Sequence, residues 1–163
     1  MIVGIDPGTA TVGFSFVSGS KQNPVIHDYG VLTTAPRPEE EMPDRLVEIA
    51  LDLESLLIKH KPKQAIVEKL FASRNVTTVI SVAQARGVIV YLLRKHNVEI
   101  TSLTPHEIKQ SITGFGRADK KQMQQMVQRI FKLDTLPKPD DAADALGMGW
   151  IGLPISDPNR KIL

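Results

Sequence analysis

Residues 2–8 read Ile2-Val3-Gly4-Ile5-Asp6-Pro7-Gly8, an apolar run that stops on an acid, a proline and a glycine. The run predicts a short buried strand, and Pro7-Gly8 suits the two central positions of a type II turn. A hairpin follows from it. Val12 to Val17 alternate as a second strand, Gly19-Ser20 and Asn23-Pro24 mark a turn, and residues 25–33 supply a third strand. The period then changes. Beyond Pro36-Arg37-Pro38, the residues Leu46, Ile49, Ala50, Leu53, Leu56 and Leu57 recur at steps of three and four, which predicts an amphipathic helix with its acids outside.

Further along, Lys63 to Glu68 centres on Ala65-Ile66-Val67 and reads as a central strand ending on an acid. Residues 75–95 are long enough for a helix, and Val88 to Leu93 within it is apolar all round. Such a helix needs cover on both sides, from the sheet and another helix or from the sheet and a partner subunit. Residues 98–103 form a fifth strand. Thr104-Pro105-His106-Glu107 carries an N-cap, a proline at the first helical position and a capping-box acid, and Gly114-Phe115-Gly116 breaks the helix that starts there. Met123, Met126, Val127 and Ile130 mark a helix over 120–131, and a last helix opens at Asp140 or Asp141 after Pro137-Lys138-Pro139. The order βββαβαβααα indicates one α/β domain on a five-stranded mixed sheet over residues 1–153, with an irregular tail at 154–163.

Composition agrees with that organisation. A chain of 163 residues can bury roughly 70% of its unfolded surface without staples. The absence of cysteine excludes thiolate metal sites, disulfides and a cysteine nucleophile. The longest apolar run, Val88 to Leu93, is far short of the roughly 20 residues of a membrane span, and the first residues lack a basic export signal. A soluble cytoplasmic protein is expected. Net charge is only +2, but its distribution is uneven. Residues 39–54 hold seven acids and one base, residues 59–95 eight bases and one acid, and residues 105–132 six bases and two acids. One face is thus suited to polyanions and another repels them. The four histidines, His27, His60, His96 and His106, fall at loop or helix edges and read as surface residues.

Four acids stand in places unsuited to ordinary surface charge. Asp6 and Glu68 end apolar strands, and Asp141 and Asp144 flank Ala142-Ala143 where a helix meets the sheet. A buried carboxylate needs a cation or it shifts its pKa until neutral. Hard divalent ions take such oxygen ligands, and a pair of them roughly 4 Å apart activates water for phosphodiester hydrolysis. Residues three apart share a helix face, so Asp141 and Asp144 form a pair, and Asp140 with Asp144 is an equal alternative. The plainer roles are an Asp-Pro-Gly turn for Asp6, a salt bridge from Glu68 to Lys69 or Lys63, and helix capping for Asp140 and Asp141.

Gly4-Ile5-Asp6-Pro7-Gly8 with Gly13, then Val67-Glu68-Lys69-Leu70-Phe71, Gln84-Ala85-Arg86-Gly87 and Asp141-Ala142-Ala143-Asp144-Ala145-Leu146 resemble the motifs of the RuvC-type Holliday junction resolvases, in their order. The likeness spans residues 1 to about 150. The first motif alone also resembles the phosphate loop of actin-like and sugar-kinase ATPases, but that class closes two lobes and this length offers one.

The resemblance implies a ribonuclease H-like fold, a homodimer built on the helix from Asn75, and metal-dependent cutting of opposed strands of a four-way DNA junction. The products would carry 5′-phosphate and 3′-hydroxyl ends. Asp6, Glu68, Asp141 and Asp144 would be the catalytic acids holding two Mg²⁺, with Mn²⁺ as a substitute. Phe71 would stack on a base at the junction centre. Lys109 and Lys120 would stand near the scissile phosphate, Lys120 taking a catalytic role that its neighbour Lys121 contests. Arg74, Arg117 and Lys121 would bind phosphates, and Arg86 is structural. A branch-migration complex of the RuvA and RuvB type is a further implied partner. Other readings of the same acids are a ribonuclease H-like nuclease acting on RNA or another branched DNA, and a non-catalytic junction-binding scaffold.

Overall fold

The computed structural model describes residues 1–34, 42–70 and 76–156. The linker at 36–38, Phe71, Arg74 and the tail beyond 156 lie outside them. Its strands are β1 (Ile2–Asp6), β2 (Thr11–Gly19), β3 (Pro24–Thr33), β4 (Gln64–Glu68) and β5 (Glu99–Leu103). Its helices are α1 (Met42–His60), α2 (Val76–Lys95), α3 (Pro105–Thr113), α4 (Lys120–Phe131) and α5 (Asp140–Ile151). The strands lie in the order β3-β2-β1-β4-β5. β1 pairs antiparallel with β2 and parallel with β4, so it joins a hairpin meander to a parallel half. This is the five-stranded mixed sheet expected from the sequence.

Side chains alternate across a strand, and here the alternation separates two cores. Val3, Ile5, Phe14, Phe16, Ala65 and Val67 face α1 and α2, meeting Ile49, Leu53, Ile89 and Leu93. Ile2, Val17 and Ile66 face the other way and meet α3, α4 and α5 through Ile108, Met123, Val127 and Leu146. By the same period, Asp6 and Glu68 fall on the α5 side. The helices on the first face end alike. Lys59 and His60 share Asp28 Oδ2 at 3.0 and 3.1 Å, and Lys95 and His96 share Glu54 Oε1 at 2.9 Å each. Both lysines sit at the negative end of a helix dipole.

Two sequence expectations need correction. Gly8 does not adopt the left-handed conformation that a type II turn requires, since Gly19 and Gly114 are the glycines with positive φ among the described residues. Its smallness serves a close approach instead, because a side chain there would overlap the Thr11 carbonyl. His60 is not a surface residue either. Its ring stacks on the buried Phe16 with centroids 4.3 Å apart, and its side chain is only 9% exposed. The outer side of α2 does stay open in the single chain, with Ile80 and Tyr91 exposed while Ala85, Ile89 and Leu93 are buried. No helix among the described residues is long and apolar enough to cross a membrane.

α5 is the keystone of the second core and packs on β1, β2, β3, β4, α3 and α4. Its seat on the sheet is made of small residues. A methyl group at Gly4 would overlap the Ala145 carbonyl and the Gly149 amide, and one at Gly13 would overlap the Asp141 carbonyl. Between them the buried Ser15 hydroxyl donates to the Ala145 carbonyl at 2.6 Å. A backbone cannot yield as a side chain does, so Gly4→Ala is expected to destabilise the fold by about 1–3 kcal/mol or more. Urea unfolding would measure it, and an unchanged midpoint would show that α5 is free to retreat.

Candidate active site

The C-terminal ends of β1 and β4 deliver Asp6 and Glu68 to one edge of the sheet, and the seat of α5 brings its first turns over them. Arg86 fixes the Glu68 strand end from behind. Its Nε donates to the Glu68 carbonyl at 3.1 Å and its Nη2 to Ser102 Oγ at 3.0 Å, which is the structural role expected of it. Three of the acids are partly buried in one mutually repulsive field. Burial first, then the charges of Glu68, Asp144 and Asp141, raise Asp6 to about 8 against the opposing pull of Lys120. Burial and Asp144 raise Glu68 to about 7, with Lys109 opposing. Asp144 is raised to about 6 by burial, with Lys120 opposing and Asp141 and Asp140 adding to it.

The two candidate acids at the start of α5 have different surroundings. Asp140 is held by Lys120 Nζ at 3.3 Å and Gln124 Nε2 at 2.7 Å. Asp141 contributes to the fields of both Asp6 and Asp144. Lys120, not Lys121, lies in the field of the acids, and Asp140 beside it holds its ammonium above the usual range. Lys109, on α3, acts on both Glu68 and Asp144. Arg117 and Lys121 are exposed and act on none of the three shifted acids. Phe71 and Arg74 lie outside the described residues. Gln124 was missed by the sequence reading, and no periodicity or motif singles it out.

These residues fit a divalent metal. Among the described residues, Asp6, Glu68, Asp141 and Asp144 have no hydrogen-bond or ion-pair partner for their carboxylates, so the salt bridge from Glu68 to Lys69 or Lys63 does not form. Uncompensated anions at this burial are what a hard cation relieves, and all four donors are hard oxygens. No three such side chains already meet around a single point among the described residues.

A cluster of carboxylates at the strand ends of this mixed sheet, closed by the first turns of a helix, defines a nuclease of the ribonuclease H-like class. The family model described as "Crossover junction endodeoxyribonuclease RuvC" matches residues 2–150. The crossover junction endodeoxyribonuclease RuvC of Fusobacterium nucleatum is 47% identical over 147 residues, covering 90% of this chain and 76% of that protein. That of Pseudothermotoga lettingae is 37% identical over 161 residues, covering 99% and 98%. The solved structure of "T. thermophilus RuvC in complex with Holliday junction substrate" matches with a TM-score of 0.84 at 26% identity, covering 92% of this chain and 90% of that one. The chain belongs to the RuvC family of crossover junction endodeoxyribonucleases, and this membership implies dependence on a divalent metal ion.

Each of the three shifted acids holds its proton more tightly in the folded chain than at its ordinary value of 3.8 or 4.5. The folded state therefore binds more protons than the unfolded one up to about 8 for Asp6, about 7 for Glu68 and about 6 for Asp144. This contribution to stability is complete below the unfolded values and is lost as pH rises through the folded ones. The Tm of ion-free protein is expected to fall between about pH 4 and about pH 8. Asp6→Asn should flatten the fall, and Mg²⁺ should raise Tm more at the alkaline end. A Tm that climbs over this interval would contradict the electrostatics.

Proposed function

We propose that the protein resolves four-way DNA junctions by paired symmetric nicks in recombination and repair, leaving 5′-phosphate and 3′-hydroxyl ends. The observation that carries this reading is the set of four carboxylates that have no hydrogen-bond or ion-pair partner among the described residues, Asp6, Glu68, Asp141 and Asp144, which would hold two Mg²⁺ ions. When bound, the ions activate water and neutralise charge on the leaving oxygen, and Mn²⁺ would serve in their place. Lys120, tethered by Asp140, presents an ammonium to the phosphoryl group as its charge grows. Lys109 adds a second cation on the α3 side, while Arg117, Lys121 and Arg74 bind phosphates and add salt-dependent affinity. Phe71 stacks at the junction centre by its likeness to the family motif. The solved junction complex of the Thermus relative supports the substrate class.

One such site cuts one strand, and a two-fold substrate calls for two sites. The open side of α2, with Ile80, Gly87 and Tyr91, offers the surface for a second copy. Residues 1–153 form the nuclease domain, with 154–163 as its tail. The bacterial origin of its relatives supports a cytoplasmic protein that works on chromosomal DNA. There a branch-migration complex of the RuvA and RuvB type would deliver junctions.

The test is cleavage of a labelled mobile four-way junction in Mg²⁺, with binding recorded in parallel. Wild type should give paired nicks. Asp141→Asn should lose more than about 100-fold in rate, the upper end for outer-shell partners of a metal, while still binding. Asp140→Asn should keep activity within about tenfold, because that residue only tethers Lys120 and Gln124. The reverse order would move the ligand to Asp140. Binding without cleavage by wild type would favour a scaffold, and preferential cutting of RNA hybrids would change the substrate.

For the dimer, Tyr91→Glu should shift the light-scattering mass to that of one chain and convert paired nicks to single ones. A wild-type monomer that still makes paired nicks would exclude this interface.

A further inference from the structure

Gly114-Phe115-Gly116 enters the sequence reading only as a helix break, but the structure gives it more content. Phe115 is 57% exposed. One exposed apolar residue needs no explanation by itself, yet this one stands on a loop that is firmly held. Gly114, in the left-handed conformation, caps α3. Thr113 Oγ1 accepts from the Phe115 amide at 3.1 Å, Gln110 Oε1 accepts from the Gly116 amide at 2.9 Å, and Gln110 Nε2 donates to the Gly114 carbonyl at 2.9 Å. A methyl on Gly116 would overlap the His106 ring. The backbone on both sides of the ring is therefore fixed, and the phenyl group stays in solvent.

Its setting is cationic. Arg117, Lys120 and Lys121 follow it within six residues. Arg129 shares with it a shallow cavity of about 210 Å³. Asp119, the acid in the loop, spends its carboxylate on capping α4 through the Gln122 amide at 2.8 Å. An exposed aromatic ring that shares a cavity with Arg129 and is followed in sequence by three more cations suits single-stranded nucleic acid, where a ring takes a base and cations follow the backbone. A protein partner would call for a wider apolar patch. The position is bounded as well. Phe115 and Lys120 are five positions apart, so their Cα atoms lie at most about 18 Å from each other. At about 3.4 Å per nucleotide this is about five nucleotides of one strand.

We propose that Phe115 stacks on an unstacked base of the junction within about five nucleotides of the cut phosphate, an aromatic contact separate from Phe71 that positions the strand for cutting. This rests on the junction-resolving reading and names a further residue through which the site takes its substrate.

The test compares wild type, Phe115→Ala, Phe115→Trp and Arg117→Ala by junction affinity in EDTA across a salt series, with 2-aminopurine placed in turn at each nucleotide of that window. Phe115→Ala should weaken binding about tenfold at every salt concentration with an unchanged salt slope, and Phe115→Trp should restore it. Arg117→Ala should instead lower the slope by about one. One 2-aminopurine position should be quenched by wild type and not by Phe115→Ala, whose Mg²⁺ cuts should spread to neighbouring phosphates. Wild-type affinity in Phe115→Ala, a change in its slope, or quenching that survives the substitution would each overturn the proposal. Failure of wild type to bind or cut junctions would instead bring down the resolvase reading beneath it.

Discussion

The structure depends on how closely one helix can lie on the sheet. α5 rests on Gly4 and Gly13, where even a methyl group would meet its backbone, and Ser15 pins it through the Ala145 carbonyl. The helix answers with its own small residues, as a methyl at Gly149 would come within 2.6 Å of Ser15 Oγ. Such packing loses the apolar area that larger side chains would bury. It gains position, because Asp141 and Asp144 are set by backbone contact rather than by flexible side chains. The second core, around Leu146 and Met148, then holds the helix down.

This placement has an electrostatic cost that the fold tolerates locally. Asp6, Glu68 and Asp144 repel one another in a partly desolvated space, a departure from the usual rule that buried charges are paired. Lys120 pairs with Asp140 and only partly offsets the repulsion at Asp6 and Asp144. Asp140 thus keeps a cation at hand without letting it fill the place suited to a metal. Elsewhere the molecule pairs its charges conventionally, as the shared carboxylates of Asp28 and Glu54 show.

The sequence displays the succession of elements, the helix starts and the four acids because each rests on local chemistry. Thr104 and Glu107 form the expected capping box, and the period of two that buries Val3 and Ile5 also places Asp6 on the α5 side. What stays hidden depends on contacts between distant segments. Asp140 and Asp141 are equivalent by spacing, and only the direction of approach of α4, with Lys120 and Gln124, tells them apart. His60 looks like a helix-end surface residue until β2 brings Phe16 beneath it. Ser15 reads as an ordinary strand residue, and its partner lies 130 positions away. Phe115 sits in a pattern that suggests only a break, since exposure is not written in the residues around it.

Because the acids range from Asp6 to Asp144, and the helix bearing two of them is also the piece that covers the sheet's second face, the centre cannot exist in part. A chain emerging from the ribosome carries Asp6 for most of its synthesis with nothing to oppose it. With the centre as proposed, its four acids and the closed core come together only when residues 140–151 dock, so a nascent or partly unfolded molecule would have only half of its carboxylates in place.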